Sequence, residues 1–124
     1  MVVLFNFPSI VSTLRNHELI SKVENIHVDE IAQRGFYKIK CRLIPSKYNL
    51  EIKFIKTREE FIYAYQLYST TTIVRWDNAP HFPGIETFPH HFHELHGNVL
   101  ESDLTGEAEK DLALVLSKIK KTLV

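Results

Sequence analysis

The sequence predicts an α+β fold, in which an antiparallel β-meander of about five strands is flanked by an N-terminal and a C-terminal helix. From residue 23 to residue 76, short segments of alternating apolar and polar residues follow one another with only turn residues between them. Strands this close in sequence, with no helix between them, pair as antiparallel neighbours. Both ends of the chain instead repeat apolar residues at helical spacing. The length suits one domain and no linker interrupts it, so we expect residues 1–124 to form a single α+β domain.

These patterns also give the predicted bounds of each element. A first helix is expected over residues 8–21, because Pro8 suits a first turn and three apolar residues share one side: Ile10, Val11 and Leu14. Strands are expected over residues 23–31, 36–44, 50–56, 61–68 and 73–76, with a turn at Arg34-Gly35 after the first. A long ordered loop follows over residues 77–97, with a short strand near Val99-Leu100. A second helix is expected from residue 106 to about 122, since acidic residues near its start and lysines near its end complement the helix dipole.

Composition limits the class of protein and its setting. Lysine plus arginine equals aspartate plus glutamate at 15 each, so no global basic field argues for nucleic-acid binding. Cys41 is the single cysteine, which excludes an internal disulfide framework and fits a reducing compartment. The apolar start Met1–Phe5 is too short for a signal peptide, and no apolar stretch approaches the length of a membrane-spanning helix. We therefore expect a cytoplasmic protein with no membrane partner.

Histidines are concentrated in the predicted loop. Five of the seven lie between positions 81 and 96, and they are accompanied by charged residues at Arg75, Asp77, Glu86 and Glu94: the five are His81, His90, His91, His93 and His96. Three roles compete for this cluster: metal binding, acid–base catalysis without metal, and a structural role in which the side chains satisfy one another and the loop backbone. The sequence leaves all three open.

In a metal site, neutral imidazoles would hold a divalent ion such as zinc. Side chains alternate in an extended segment, so His91 and His93 would point the same way. His81 or Asp77 could complete the site from the other end of the loop. The predicted ligands are therefore His81, His91 and His93, although their spacing matches no standard zinc signature.

In a metal-free site, two histidines would take and give protons while Arg75 held a phosphate bidentately. Two histidines and an arginine are nearly all the groups that metal-free cleavage of RNA through the ribose 2′-hydroxyl requires. A basic strand face would assist locally, although a solvated sheet surface is the simpler interpretation of its residues: Lys38, Lys40, Arg42, Lys53 and Lys56.

One long motif resembles a known family. The run Arg75-Trp76-Asp77-Asn78-Ala79-Pro80-His81, the later Pro89-His90-His91-Phe92-His93 and the earlier Tyr63-Ala64-Tyr65 together resemble the hallmark of the TumE-type toxins of bacterial and archaeal toxin–antitoxin systems. Such toxins are short chains that begin and end with a helix. The resemblance implies a toxin with a DNA-binding antitoxin partner, usually of helix-turn-helix type.

Together these observations favour a type II toxin that acts as a ribonuclease through its histidine-rich loop. Its predicted catalytic residues are Arg75, Asp77, His81, His90, His91 and His93, and its predicted partners are an antitoxin and RNA. A non-enzymatic module that binds a metal or a protein through a structural histidine cluster is the alternative, and a metal-dependent hydrolase is a third hypothesis. The edge strands of a meander also offer a surface for a homodimer.

Overall fold

A computed structural model of the chain describes residues 5–123, so the expectation for Met1–Phe5 falls mostly outside the described residues. Two helices and seven strands follow one another: α1 (Phe7–Arg15), β1 (Ile20–Ile31), β2 (Arg34–Leu43), β3 (Asn49–Lys56), β4 (Phe61–Tyr68), β5 (Thr72–Asp77), β6 (His91–His93), β7 (Val99–Glu101) and α2 (Ala108–Leu123). Neither helix in this part of the chain has the length and hydropathy that crossing a bilayer requires.

The strands form one sheet in their sequence order, and every neighbouring pair is antiparallel. The predicted α+β meander is therefore confirmed, but it has seven strands rather than about five. The additional strand β6 lies in the segment predicted to be loop. Three residues are too few to show an alternation in sequence. A tertiary contact places β6 beside β5: the ring of Phe92 packs against Trp76 with centroids 4.9 Å apart.

The core lies between the two helices and one face of the sheet. The inward residues are those that the alternation predicts, and they share one cluster with both helices, including Ile39, Cys41, Ile52, Phe54, Tyr65, Leu14, Leu112 and Val115. Cys41 is fully buried, and burial raises the pKa of its thiol to about 12.

Two predicted boundaries in the first third of the chain were wrong. The first helix ends at Arg15 rather than at residue 21, because Asn16 caps it and Ile20 already pairs with Leu43 in the sheet. The first turn is at Ala32-Gln33, where Ala32 has a φ of 55°, and Arg34-Gly35 belongs to β2. Gly35 serves a different purpose, since a Cβ there would lie 2.5 Å from the hydroxyl of Tyr37.

The opposite face of the sheet, which we call the outer face, carries charged residues. Lys38, Lys40 and Arg42 alternate with buried residues of β2, and Glu51 and Lys53 do the same in β3. Lys56 is the exception to the predicted basic face. It has the same parity in β3 as the buried Phe54, so it lies on the helix side of the sheet.

Candidate functional site

The candidate site lies on the outer face, where β5 and β6 run side by side. Their register places Arg75 opposite His93 and Asp77 opposite His91. Side chains directly opposite each other in antiparallel strands point to the same face and are in reach of one another. The intervening residues of the two strands, Trp76 and Phe92, pack together on the helix side. Strand alternation thus brings four predicted site residues together.

Asp77 is the centre of this cluster. Its side chain is only 8% exposed, and its two oxygens face different partners. Oδ1 accepts hydrogen bonds from the backbone N–H of Ala79 at 3.1 Å and lies 2.8 Å from Nε2 of His91. Oδ2 accepts a hydrogen bond from Nε of Arg75 at 2.8 Å and lies 3.6 Å from Nε2 of His93. A buried carboxylate with this many donors is held in one orientation.

His91 is the most enclosed member of the cluster, with 2% of its side chain exposed. Its Nδ1 lies 3.0 Å from the carbonyl oxygen of Pro89, which can only accept a hydrogen bond. Its Nε2 faces the carboxylate of Asp77, which when ionised also only accepts. Both contacts are hydrogen bonds only when both ring nitrogens carry a proton. The same geometry also suits two ligands that share a cation.

His93 is the accessible histidine of the cluster, with 32% of its side chain exposed. Partial burial lowers its pKa below the usual 6.5, and this outweighs the opposite effect of the Asp77 carboxylate. Phe82, from the loop between β5 and β6, packs edge-on against both rings, with centroids 4.8 Å from His91 and 5.8 Å from His93. This loop covers the buried histidine and leaves the other open to solvent.

Arg75 borders the site on the other side and is 35% exposed. Nε donates to Asp77, and Nη1 donates to Oε1 of Gln66 at 3.0 Å. Gln66 in turn donates to the hydroxyl of Thr72. A guanidinium has five N–H donors, and two are used by these contacts within residues 5–123. The remaining three are available to an anion.

His90 belongs to a different environment, on the helix side of the sheet. Its Nδ1 lies 2.7 Å from the hydroxyl of the buried Tyr63. Burial raises the pKa of the Tyr63 phenol well above its usual value and lowers the pKa of His90. The phenol thus donates the hydrogen bond to a neutral imidazole. The structure separates His90 from His91 and His93, with which the sequence groups it.

The other loop residues do not join the cluster. His81 is exposed, and His91 and His93 are grouped instead with Asp77 as the three residues able to offer ligand atoms within 4.8 Å of one another. His96 is exposed in the turn after β6. Glu94 accepts hydrogen bonds from the backbone N–H groups of His96 and Asn98, so it stabilises that turn.

Sequence reasoning missed Gln66 and Phe82. Gln66 is an ordinary polar residue on a strand, and only the pairing of β4 with β5 shows that it faces Arg75. Phe82 lies in a segment without periodicity, so nothing in the sequence indicates that it covers two histidines. Asn78 of the Arg75–His81 motif has a structural role: its side chain forms hydrogen bonds with the backbone of Phe61 and Tyr63 in β4.

Chemically, the cluster presents one cation and one histidine to solvent, above a buried carboxylate–histidine pair. Arg75 can bind an oxyanion, and His93, with its lowered pKa, can accept a proton near neutral pH. The group Asp77, His91 and His93 could alternatively hold a metal ion.

Comparison with known proteins identifies a family. A family model described as Toxin TumE matches residues 11–123, which confirms the resemblance that the histidine motif predicts. No curated protein and no solved structure matches the chain.

Proposed function

Because the chain belongs to the TumE toxin family, we propose that this toxin cleaves RNA without a metal ion, with Arg75, Asp77, His91 and His93 as its site. A toxin of a toxin–antitoxin system has an antitoxin as its partner. The proposal leaves out His81 and His90, which lie outside the cluster.

The reaction starts at the ribose 2′-hydroxyl. The imidazole of His93 accepts its proton while the 2′-oxygen attacks the adjacent phosphorus. Arg75 binds the non-bridging phosphate oxygens and stabilises the charge that develops on them. The bond from phosphorus to the 5′-oxygen breaks, and the leaving oxygen takes a proton from water. The hydroxide that this leaves takes the proton from His93, so the imidazole returns to its neutral form. The products are a 2′,3′-cyclic phosphate and a 5′-hydroxyl.

Asp77 and His91 position the groups that touch the substrate. The carboxylate fixes the guanidinium of Arg75 through Nε and lies beside His93. His91 contacts the carboxylate on its buried side, with Nε2 at 2.8 Å from Oδ1, and its Nδ1 lies 3.0 Å from the carbonyl oxygen of Pro89. Such pre-ordering matters because a catalytic group must be held within a fraction of an ångström of its productive position.

The observation that carries the proposal is the pairing of Arg75 with His93 on adjacent strands. Both side chains are about one-third exposed, and both lie beside the same buried carboxylate, at 2.8 Å for Arg75 and 3.6 Å for His93. A phosphate held by the guanidinium would thus lie next to a histidine that is neutral at neutral pH. A purely structural cluster has no need to expose its cation and its base side by side.

The test is cleavage of a defined single-stranded RNA by the purified chain in the presence of a chelator. We expect products that end in 2′,3′-cyclic phosphate, and no cleavage at a position where a 2′-deoxynucleotide replaces the ribonucleotide. His93→Ala and Arg75→Ala should each reduce the rate by at least about 100-fold. The matched control is His96→Ala, an exposed histidine in the turn after β6, which should cleave at the wild-type rate.

A metal-dependent hydrolase is the second candidate, and one observation favours it. Asp77, His91 and His93 each offer a ligand atom within 4.8 Å of the others. Two observations weigh against it: the oxygens of Asp77 already accept bonds from Ala79 and Arg75, and the guanidinium would repel a cation. Stoichiometric metal that survives dialysis, together with activity abolished by a chelator, would favour this candidate over the metal-free ribonuclease.

We further propose that the antitoxin is a helix-turn-helix protein, which the resemblance implies. Co-expression with the product of a neighbouring gene of that class should give a complex that co-purifies and in which RNA cleavage is suppressed.

A homodimer through the edge strand β1 also stays a prediction. Its support is the exposure of Ile26 and Val28 on this strand. Measuring the size of the purified chain in solution would test for the dimer.

A further inference from the structure

The outer face carries positive charge from β2 towards the site. The register aligns two rows of residues across the strands: Lys38, Lys53, Ala64, Asp77 and His91 in one, and Lys40, Glu51, Gln66, Arg75 and His93 in the other. Each row starts with lysine on β2 and ends at a histidine of the candidate site. The basic residues and the site are therefore parts of one continuous surface.

The charges on this surface are only partly balanced. Glu51 is shared by two lysines, at 3.8 Å from Nζ of Lys38 and 3.4 Å from Nζ of Lys53. One carboxylate between two ammonium groups leaves a net positive charge. Both lysine side chains are more than 40% exposed, so these pairs are weak and can be exchanged for contacts with an external anion.

Strand β4 separates the lysines from the site without interrupting this surface. Its outer-face residues between them are the small Ala64 and the uncharged Gln66. Within the described strands β2–β5, Glu51 and Asp77 are the two carboxylates on the outer face, and both are paired with cations. No unpaired negative charge therefore lies between β2 and Arg75 in this part of the chain.

We infer that single-stranded RNA binds across the outer face at right angles to the strands, with its phosphates on Lys38, Lys40 and Lys53 and the scissile phosphate at Arg75. This inference rests on the proposed function. The distance from β2 to β5 is three strand spacings, about 14 Å, so the contacts need an oligonucleotide longer than the cleaved step. A flat basic face that follows one backbone suits a single strand.

The test measures binding of a 2′-O-methyl RNA of about twelve nucleotides, which cannot be cleaved through its 2′-position. The variant combines Lys38→Ala, Lys40→Ala and Lys53→Ala. The matched control removes the same charge from the helix side with Lys56→Ala, Lys110→Ala and Lys121→Ala. Fluorescence anisotropy at several salt concentrations gives the affinity and its salt slope, and circular dichroism checks that both variants fold.

We expect the outer-face variant to bind at least about tenfold more weakly than wild type, with a log–log salt slope smaller by about 2, and the control to bind like wild type. Equal affinities of the two variants, or no binding by wild type, would overturn the inference. Loss of antitoxin binding with unchanged RNA affinity would also overturn it and make this face a protein interface. The probe cannot be cleaved, so this binding test is independent of the cleavage test. If wild type binds the probe but does not cleave ordinary RNA, the proposed reaction is wrong and the binding inference stands.

Discussion

Consecutive histidines in this chain have opposite surroundings, because neighbouring residues of an extended segment point to opposite sides of the sheet. His90 faces Tyr63 on the helix side, whereas His91 faces Asp77 on the outer face. The same residue type is a neutral hydrogen-bond acceptor at one position and a partner of a carboxylate at the next. At the scale of single residues, the site is determined by this alternation.

The lowered pKa of His90 should make stability depend on pH. Burial, which is the largest cause, lowers the pKa in the folded state, so the unfolded chain binds a proton more readily. Stability is thus fully present above pH 6.5 and falls as the pH drops through the lowered pKa. We expect urea unfolding to show a smaller loss between pH 7.5 and pH 5 for His90→Gln than for wild type. Equal losses in both would contradict this assignment.

Asp77→Asn should damage both stability and activity. The amide keeps the size of the side chain but removes the charge that Arg75 and His91 face. We expect a loss of about 2 kcal/mol in the free energy of unfolding, measured by urea, and loss of RNA cleavage. Asp29→Asn, at an exposed position in β1, is the control and should change stability by less than about 0.5 kcal/mol. A stable but inactive Asp77→Asn would show that the carboxylate acts in the reaction and contributes little to folding.

At the scale of elements, the start of α2 depends on a buried carboxylate. Asp111 is 1% exposed and accepts hydrogen bonds from the backbone N–H groups of Thr105 and Gly106 and from the Thr105 hydroxyl. The sequence predicts it only as one of several acidic residues that complement the helix dipole. In the structure it ties the segment before the helix to the first turn.

Asp111→Ala should therefore destabilise the fold by about 2 kcal/mol, since three donors lose their acceptor. Asp103→Ala is the matched control, because Asp103 is exposed and its one ion pair within residues 5–123 is with Lys118 at 3.2 Å. Its effect should stay within about 0.5 kcal/mol. Thermal or urea unfolding compares the two, and similar effects of both variants would argue against a structural role of the buried carboxylate.

The longer strands and the short strand near Val99-Leu100 could be predicted from sequence, and β6 could not. Strands such as β2 and β3 are long enough for their alternation to be visible, and the second helix has a clear apolar stripe. Strand β6 has three residues, so its place in the sheet depends on contacts from β5 and β7. Because β6 carries His91 and His93, the strand that completes the candidate site is the one that the sequence does not predict.

At the scale of the whole molecule, the sequential order of the strands unites the basic face with the candidate site. The sequence identifies Arg75, Asp77 and the histidines through residue type and through their resemblance to a toxin family, which the family match confirms. It cannot give the register that sets Arg75 opposite His93, since register depends on turn geometry and packing across the sheet. By contrast, Lys56 has the same parity as Phe54 within the predicted strand 50–56, so alternation alone already indicates that it faces away from the other lysines. That residues 1–124 form one domain stays a prediction, which limited proteolysis would test.

Growth of a bacterial host can show whether the toxic activity belongs to the outer-face cluster, as proposed, or to the helix-side histidine His90. The most direct measurement is growth of a bacterial host after induction of wild type, His93→Gln or His90→Gln, with equal amounts of folded protein checked in each strain. We expect arrest by wild type and by His90→Gln, and normal growth with His93→Gln. Arrest by His93→Gln, or normal growth with wild type, would contradict this expectation.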